Sequence, residues 1–484
     1  MTVPRLPPGS GARIRADVRW LPRADGSLVL VGGSPLRVLT LSSTAARLVD
    51  EGRVTITNAA GGPAAFVAQR LLDGNLADPI GLRAATPSDI TVVVPVRDRL
   101  EQLDRCLTAL EGLAVVVVDD ASHEPRAVAE VVARHGAQLV ALTSNRGPAA
   151  ARNMGLLRVE TPFVGFVDSD VVVRPDVLLG LCRHFSDQQV AAVGPLIHGV
   201  ARSGRPRWFE LYDVVAGSLG LGLRGGQVRP GAAVGWLPSA CLVVRTDVLR
   251  DKVIGGFAPE MRVGEDVDLV WRLLDVGHVV RYEPSLVAHH DVRGTIRAWL
   301  GRKFLYGTGS AELGRRHGDA VAPAVLSPVS GLAAAALLTH RWWSVPLAML
   351  ALVRGQRAVR TAIPAAPGRE VLAWRLAGSG LVWVVRQESA LLVRHWWPGS
   401  AGLALVYRPV RRALVSALLV DAVVALAEES RPDPLTRLLG RRLDDLAYGA
   451  GVWIGALRGR SLQCLRPRIV RGRYPVRRTG CARP

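Results

Sequence analysis

The chain has 484 residues, 49% of them hydrophobic and 21% charged, with 50 Gly, 31 Pro and 5 Cys. That length holds two or three domains with sizeable cores. The composition excludes a disordered tail protein, a collagen and a disulfide-stapled secreted miniprotein. The net charge of +20 is unevenly spread: residues 301–484 carry 28 basic and 10 acidic side chains, so nearly all of the excess lies there. A basic last third with long apolar stretches points to an anionic membrane surface or an acidic partner. No basic motif with interleaved aromatics is present, which argues against nucleic acid. Cys106, Cys182, Cys241, Cys464 and Cys481 show no metal-ligand spacing, and Met1 to Arg15 has no apolar run, so reduced thiols in a cytoplasmic compartment are expected.

Taken in chain order, residues 18–41 alternate as short strands joined by Gly-containing turns. Ser42, Ser43 or Thr44 can cap a helix over Ala45 to Val49, and a second helix is expected from Pro63 to Leu72. From Asp89 the texture changes. Ile90–Val96, Val115–Val118, Gln138–Leu142 and Phe163–Val167 are short β-branched runs alternating with helix-like stretches at 100–113, 126–135 and 147–158. This pattern predicts a doubly wound α/β domain with a parallel sheet, whose ligands bind beyond the carboxyl ends of the strands.

Chemistry-bearing residues fall at those ends. The first strand runs into Pro95-Val96-Arg97-Asp98, and the second ends on Asp119-Asp120-Ala121-Ser122. A strand-end carboxylate can accept from a base N–H or from ribose hydroxyls; a plain helix cap would need only one. Asn145-Arg146-Gly147-Pro148 opens a helix whose free N–H groups, with Arg146 and Arg152, suit a phosphate. Phe163–Val167 delivers Asp168-Ser169-Asp170, two carboxylates spaced to hold a divalent cation against a diphosphate. Gly264-Glu265-Asp266 opens a helix with apolar residues at 267, 270, 273 and 274, which sets both carboxylates at its N-terminal end.

Residues 90–300 resemble the GT-A-fold, family 2 glycosyltransferases. The matching segments are TVVVPVRDR (91–99), VVDDAS (117–122), NRGPAAARN (145–153), FVDSD (166–170) and GEDVDLVWRL (264–273), in the family's order. The resemblance implies that Asp119 or Asp120 contacts the nucleotide base and that Pro95, Arg97, Arg146 and Arg152 complete the donor site. It implies Asp168 on ribose and metal, Asp170 on Mn2+ or Mg2+, and Asp266, beside Glu265, as the general base of an inverting displacement. His289 and His290 end the run Pro284–Ala288, and His289 is offered as a further metal contact. Trp236 and Arg302 are offered to the acceptor. Arg302 to Gly307 departs from the Gln-x-x-Arg-Trp pattern of processive members, so repeated addition is open here.

Residues 1–85 resemble the PqqD-like, winged-helix peptide-recognition modules. Together with the core and the segment DDLAYGAGVWIGALRGR (444–460), the whole chain resembles the glycosyltransferases of the actinobacterial mycofactocin system. That implies UDP-glucose as donor, and mycofactocin or its precursor peptide as acceptor, with one or more sugars added. A membrane lipid or cell-wall polysaccharide is the alternative acceptor.

The domains expected are 1–85, 86–300 and a helical 301–484. Ala320–Thr339, twenty residues without a charge, is a candidate span, with Arg341, Arg354, Arg357 and Arg360 as positive-inside flanks or contacts to an anionic surface; a soluble helical bundle is the alternative. The working place expected is the inner face of the cell membrane. Arg466–Pro484, with seven Arg and no acid, is expected to be disordered.

Overall fold

In the computed structural model, residues 5–57, 62–427, 432–470 and 477–479 are described. The chain divides into two units. One joins Met1–Gly81 to Gly318–Glu429 and Arg437–Pro484; the other holds Leu82–His317 with Ser430–Thr436.

The first unit begins with β1 (Gly11–Ile14), β2 (Arg19–Pro22), β3 (Leu28–Gly32), β4 (Arg37–Leu41), α1 (Ser43–Ala46), β5 (Arg53–Thr55), α2 (Pro63–Asp73) and β6 (Ala77–Ile80). Ser42 caps α1 by accepting from Ala45 N at 3.2 Å. Antiparallel β2, β3 and β4 form one sheet, and β5, β1 and β6 another.

The second unit carries the predicted α/β alternation. It runs β7 (Ile90–Val96), α3 (Leu100–Ala109), β8 (Ala114–Asp119), α4 (Pro125–Arg134), β9 (Gln138–Ala141), α5 (Pro148–Leu156), β10 (Phe163–Val167) and β11 (Val171–Val172). Then follow α6 (Pro175–Cys182), β12 (Val190–Val200), α7 (Trp208–Ala216), β13 (Gly226–Gln227), β14 (Cys241–Arg245), α8 (Thr246–Arg250), α9 (Glu265–Asp275), β15 (Val279–Asp291), α10 (Ile296–Thr308) and α11 (Ser310–His317). The sheet order is β11-β15-β12-β14-β10-β7-β8-β9, with β13 on β15. Its β9, β8, β7 and β10 are parallel, as the buried runs predict, but β14 enters antiparallel between β10 and β12, so the sheet is mixed. Ile90, Val92, Val94, Val117, Val167 and Val243 meet in one core that fixes the strand ends where the carboxylates stand.

The rest of the first unit holds β16 (Val325–Leu326), α12 (Pro328–Leu338), α13 (Ser344–Ala362), α14 (Arg369–Ala390), a π-helical turn at Leu391–His395, α15 (Trp397–Val406), α16 (Arg408–Ala427) and α17 (Pro434–Arg458). Leu21, Val29, Val31 and Val38 of the first sheet share a core with Val359 of α13, Ile363 just after it and Ala373 of α14. Arg23 Nε also donates to Ala365 O at 2.9 Å.

The candidate span does not form. Gly318–Val321 is a 3₁₀ turn, β16 pairs with β17 (Arg468–Ile469), and α12 starts only at Pro328, where Ser327 caps it. Pro323 and Pro328 interrupt the stretch, because proline lacks the amide a continuing helix needs. No described helix is long and apolar enough to cross a membrane. Within the tail expected to be disordered, β17 and β18 (Arg477–Thr479, parallel to β4) are strands; 471–476 and 480–484 lie outside the described residues.

Candidate active site

The site is built at the carboxyl ends of β8, β7 and β10 and at the start of α9. The loops after β7 and β8 lock together: Asp98 N donates to Ser122 Oγ at 3.0 Å, and Asp98 accepts from His123 N at 2.7 Å. Asp98 and Ala121 both take positive φ, at 56° and 57°, a conformation L-residues hold only where surroundings enforce it. Asp119 is buried and accepts from Ser122 N at 3.0 Å and Ser122 Oγ at 2.5 Å through one oxygen. Asp120 accepts from Arg146 N at 2.7 Å and Gly147 N at 2.8 Å. Pro95 is half-buried; Arg97 and Arg146 are exposed.

The segment NRGPAAARN is therefore a hub. Asn145 Oδ1 accepts from Arg262 Nη1 at 2.8 Å, and Asn153 exchanges two bonds with the Phe257 backbone at 2.8 and 2.9 Å. Gly147 sits at φ 88°, where a Cβ would come within 3.3 Å of Arg262. Two amides expected to be free for a phosphate, those of Arg146 and Gly147, are held by Asp120. Arg152 turns inward: its buried guanidinium donates to Glu265 Oε1 at 2.9 Å and Asp168 Oδ1 at 2.6 Å, and lies 5.4 Å from the Phe257 ring centroid. It clamps the DxD segment to the head of α9 instead of facing a phosphate.

Asp168 keeps 31% of its side chain exposed, whereas Asp170 is buried among Arg99, Arg293 Nη2 (3.4 Å) and His290 Nε2 (3.6 Å). Burial alone would raise the Asp170 carboxyl, but His290, Arg99 and Arg293 overcome it and hold it well below the usual carboxylate range. His290, not His289, faces the DxD. Successive residues of β15 point to opposite sides, and His289 instead meets His198 edge-to-face at 6.1 Å.

Gly264, at φ 81°, turns the chain into α9. There Asp266 accepts from Ser239 N at 3.3 Å and Val267 N at 2.8 Å. Burial first, and then the charge of Glu265, push its carboxyl up to about 7, against the pull of those amides and Arg152. A carboxyl poised near neutrality is what a general base needs.

Tyr306, on α10, is pushed up to about 12 chiefly by burial, with the Asp266 and Asp168 charges adding. It lines a cavity of about 260 Å3 with His290, Arg293, Trp299, Arg302 and Lys303. Arg302 lines the same cavity, over the Tyr306 ring at 5.8 Å. Trp236, half-buried, is not in that lining; its loop instead holds α9, with Gly235 O accepting from Trp271 Nε1 at 2.8 Å.

Arg99, Arg293 and Tyr306 were not assigned a role by sequence, and of the pair His289-His290 the sequence reading offered the metal the member that does not face the DxD. Arg99 lies inside the TVVVPVRDR segment, and the alternation of β15 was the signal for His290.

Among the described residues no group of three or more His, Cys, Asp and Glu side chains converges as a complete metal site. A cation held by one or two carboxylates and the donor's own phosphates needs none. Asp168 and Asp170 supply those carboxylates, with the His290 ring nitrogen beside them, provided that Arg99 and Arg293 yield their places on Asp170 Oδ2. The residues fit the group.

The glycosyl transferase family 2 profile matches residues 91–230, and the glycosyl transferase family group 2 profile matches 163–408. A pre-mycofactocin glycosyltransferase of Mycobacterium tuberculosis is 39% identical over 97% of this chain and 100% of its own length. The chain belongs to glycosyl transferase family 2. It is a glycosyltransferase, with the GT-A-like α/β fold that its sequence implied. The succinoglycan biosynthesis protein ExoU of Rhizobium meliloti is 27% identical over 40% of this chain and 60% of its own. Among solved structures, a mannosyltransferase of Pyrobaculum calidifontis with GDP-Man and Mn2+ aligns at TM-score 0.42 and 18% identity, covering 78% of this chain and 90% of that one.

Proposed function

We propose that this enzyme transfers glucose from UDP-glucose, with inversion, to a hydroxyl of mycofactocin or its precursor, once or repeatedly. The acceptor reading is supported by the likeness to the pre-mycofactocin glycosyltransferase, which spans 97% of the chain. The PqqD-like reading of residues 1–85 gives that acceptor a recognition module. The observation that carries the mechanism is Asp266, half-buried, raised toward neutrality and set at the head of α9 beside the clamped DxD.

The Asp266 carboxylate takes the proton of the acceptor hydroxyl as its oxygen bonds to the anomeric carbon. The bond from that carbon to the diphosphate oxygen breaks on the opposite face, and its electron pair leaves with the nucleoside diphosphate. Arg152 keeps Glu265 and Asp168 in place, so the base and the donor-facing carboxylate hold a fixed separation. Asp119 and Asp120 shape the base-binding end, with Pro95 and Arg97 at the mouth. A divalent cation, Mn2+ or Mg2+, bound at Asp168 and Asp170 with the donor's phosphates would supply charge neutralisation for the leaving group.

The test is turnover of UDP-glucose against GDP-mannose, with and without added Mn2+ or Mg2+, and mass spectrometry of the acceptor. The reading requires metal-dependent glucose transfer, lost in Asp170→Ala and Asp266→Asn. A ladder of hexoses on the acceptor marks repeated addition. Transfer only to a lipid or polysaccharide acceptor would replace the mycofactocin reading.

A further inference from the structure

The helices of the first unit bury small residues and turn large apolar ones outward. In α14, Ala373, Ala377 and Val384 are buried, while Val371, Trp374, Val382 and Trp383 are exposed. In α16, Ala413, Ser416, Ala417 and Ala425 are buried, while Val415, Leu418, Leu419, Val423 and Leu426 are exposed. An exposed stripe of this size on a folded unit marks a site of interaction. The two stripes share one side. Helices α14 and α16 pack on each other, and both, with α13, pack on α12, whose Ala333, Ala334 and Ala336 are buried. Faces turned away from α12 therefore lie next to one another. The apolar band is extended by α15, where Leu405 and Val406 are more than four-fifths exposed.

Charge decides the occupant. Residues 341–427 hold eleven arginines and three acids. All three acids are directed elsewhere. Glu370 accepts from Gln356 at 2.9 Å and pairs with Arg360 and Arg369; Asp421 is bound by Arg441 at 2.8 Å and Arg442 at 2.5 Å; Glu388 lies against Gly331 of α12. Arg375 and Arg386 stand on the α14 stripe, Arg386 over the Trp383 ring at 5.4 Å, and Arg411 and Arg412 open α16. Apolar side chains, tryptophans and arginines on a face whose half-exposed acid, Glu370, is paired with Arg360 and Arg369 are the make-up of a surface that beds into lipid headgroups. A second copy would set these arginines against one another. No described helix is long and apolar enough to cross a membrane, so contact of this face with lipid would be peripheral.

We propose that the outward face of α14–α16 is the docking surface for an anionic lipid bilayer, held by the exposed tryptophan and aliphatic side chains and steered by Arg375, Arg386, Arg411 and Arg412. The surface is independent of the catalytic residues.

The experiment is vesicle flotation of the full-length chain, with phosphatidylcholine alone and with phosphatidylglycerol mixed in, at low and high salt. The proposal expects flotation with the anionic vesicles only, weakened by salt. Arg411→Glu with Arg412→Glu should lower the partition coefficient by at least about 25-fold, since each surface arginine is worth about fivefold. Trp383→Glu with Leu419→Glu should abolish flotation. Circular dichroism and the melting temperature, unchanged in both variants, separate this from misfolding. Equal binding to neutral vesicles, flotation indifferent to both variants, or a dimer that the variants break with no vesicle binding at all would each overturn it.

Discussion

In the α/β unit Arg152 donates to Asp168 and Glu265; in the helical unit Arg394 donates to Asp444 at 3.0 Å and Asp445 at 2.5 Å. The two clusters look alike but their balances differ. Around Arg394, three arginines (394, 441, 442) meet three aspartates (421, 444, 445), and Tyr448 stacks on Arg394 at 4.0 Å. Around Arg152 a third carboxylate, Asp266, has no cation of its own, and Asp168 opens to solvent. A matched network holds helices together. With one arginine for three carboxylates, the least compensated of them, Asp266, is kept partly protonated at neutral pH, and in its ionised form can take up a proton from a substrate.

The sharpest way to break this comparison is to neutralise the surplus. Asp266→Asn should lower kcat by about 10²–10⁴-fold with donor binding retained, measured by steady-state kinetics and nucleotide titration. Next is the clamp. Arg152→Met leaves two carboxylates facing each other in a buried site and should cost about 3–5 kcal/mol in denaturant unfolding, together with most activity. Arg394→Met should cost less, because that side chain keeps 29% of its surface exposed against 3% for Arg152, and should spare kcat.

Much of the site was legible because it stands at the ends of buried β-branched runs. Ile90–Val96 and Phe163–Val167 match β7 and β10 residue for residue, and they place Arg97, Asp168 and Asp170 at once. The roles within a segment were not legible, since they depend on phase. Arg152 follows three buried alanines and points in with them, and a step of one residue along β15 separates His290 from His289. The partnership of the first sheet with α13 and α14 joins residues 342 positions apart, as Arg23 and Ala365 do, and no local pattern carries that. Composition showed apolar C-terminal helices but not which side their large residues face.

Smaller effects sharpen the account. His290→Ala should weaken the apparent Mn2+ or Mg2+ affinity by about 10–100-fold in activity titrations, while His289→Ala leaves it unchanged. Glu265→Gln removes the charge that helps to raise Asp266, so the acid limb of kcat should move to lower pH. The sign follows from the base: Asp266 works deprotonated, so the rate falls as pH drops through its pKa, and a lower pKa postpones the fall.

The most direct measurement is the pH dependence of kcat for glycosyl transfer in the wild-type chain and in Asp266→Asn. The account predicts a wild-type rate that rises tenfold per pH unit and levels off near pH 7, and a slow variant with no such limb. A variant that keeps both the limb and a rate close to wild type would contradict it, and the proton would have to go elsewhere.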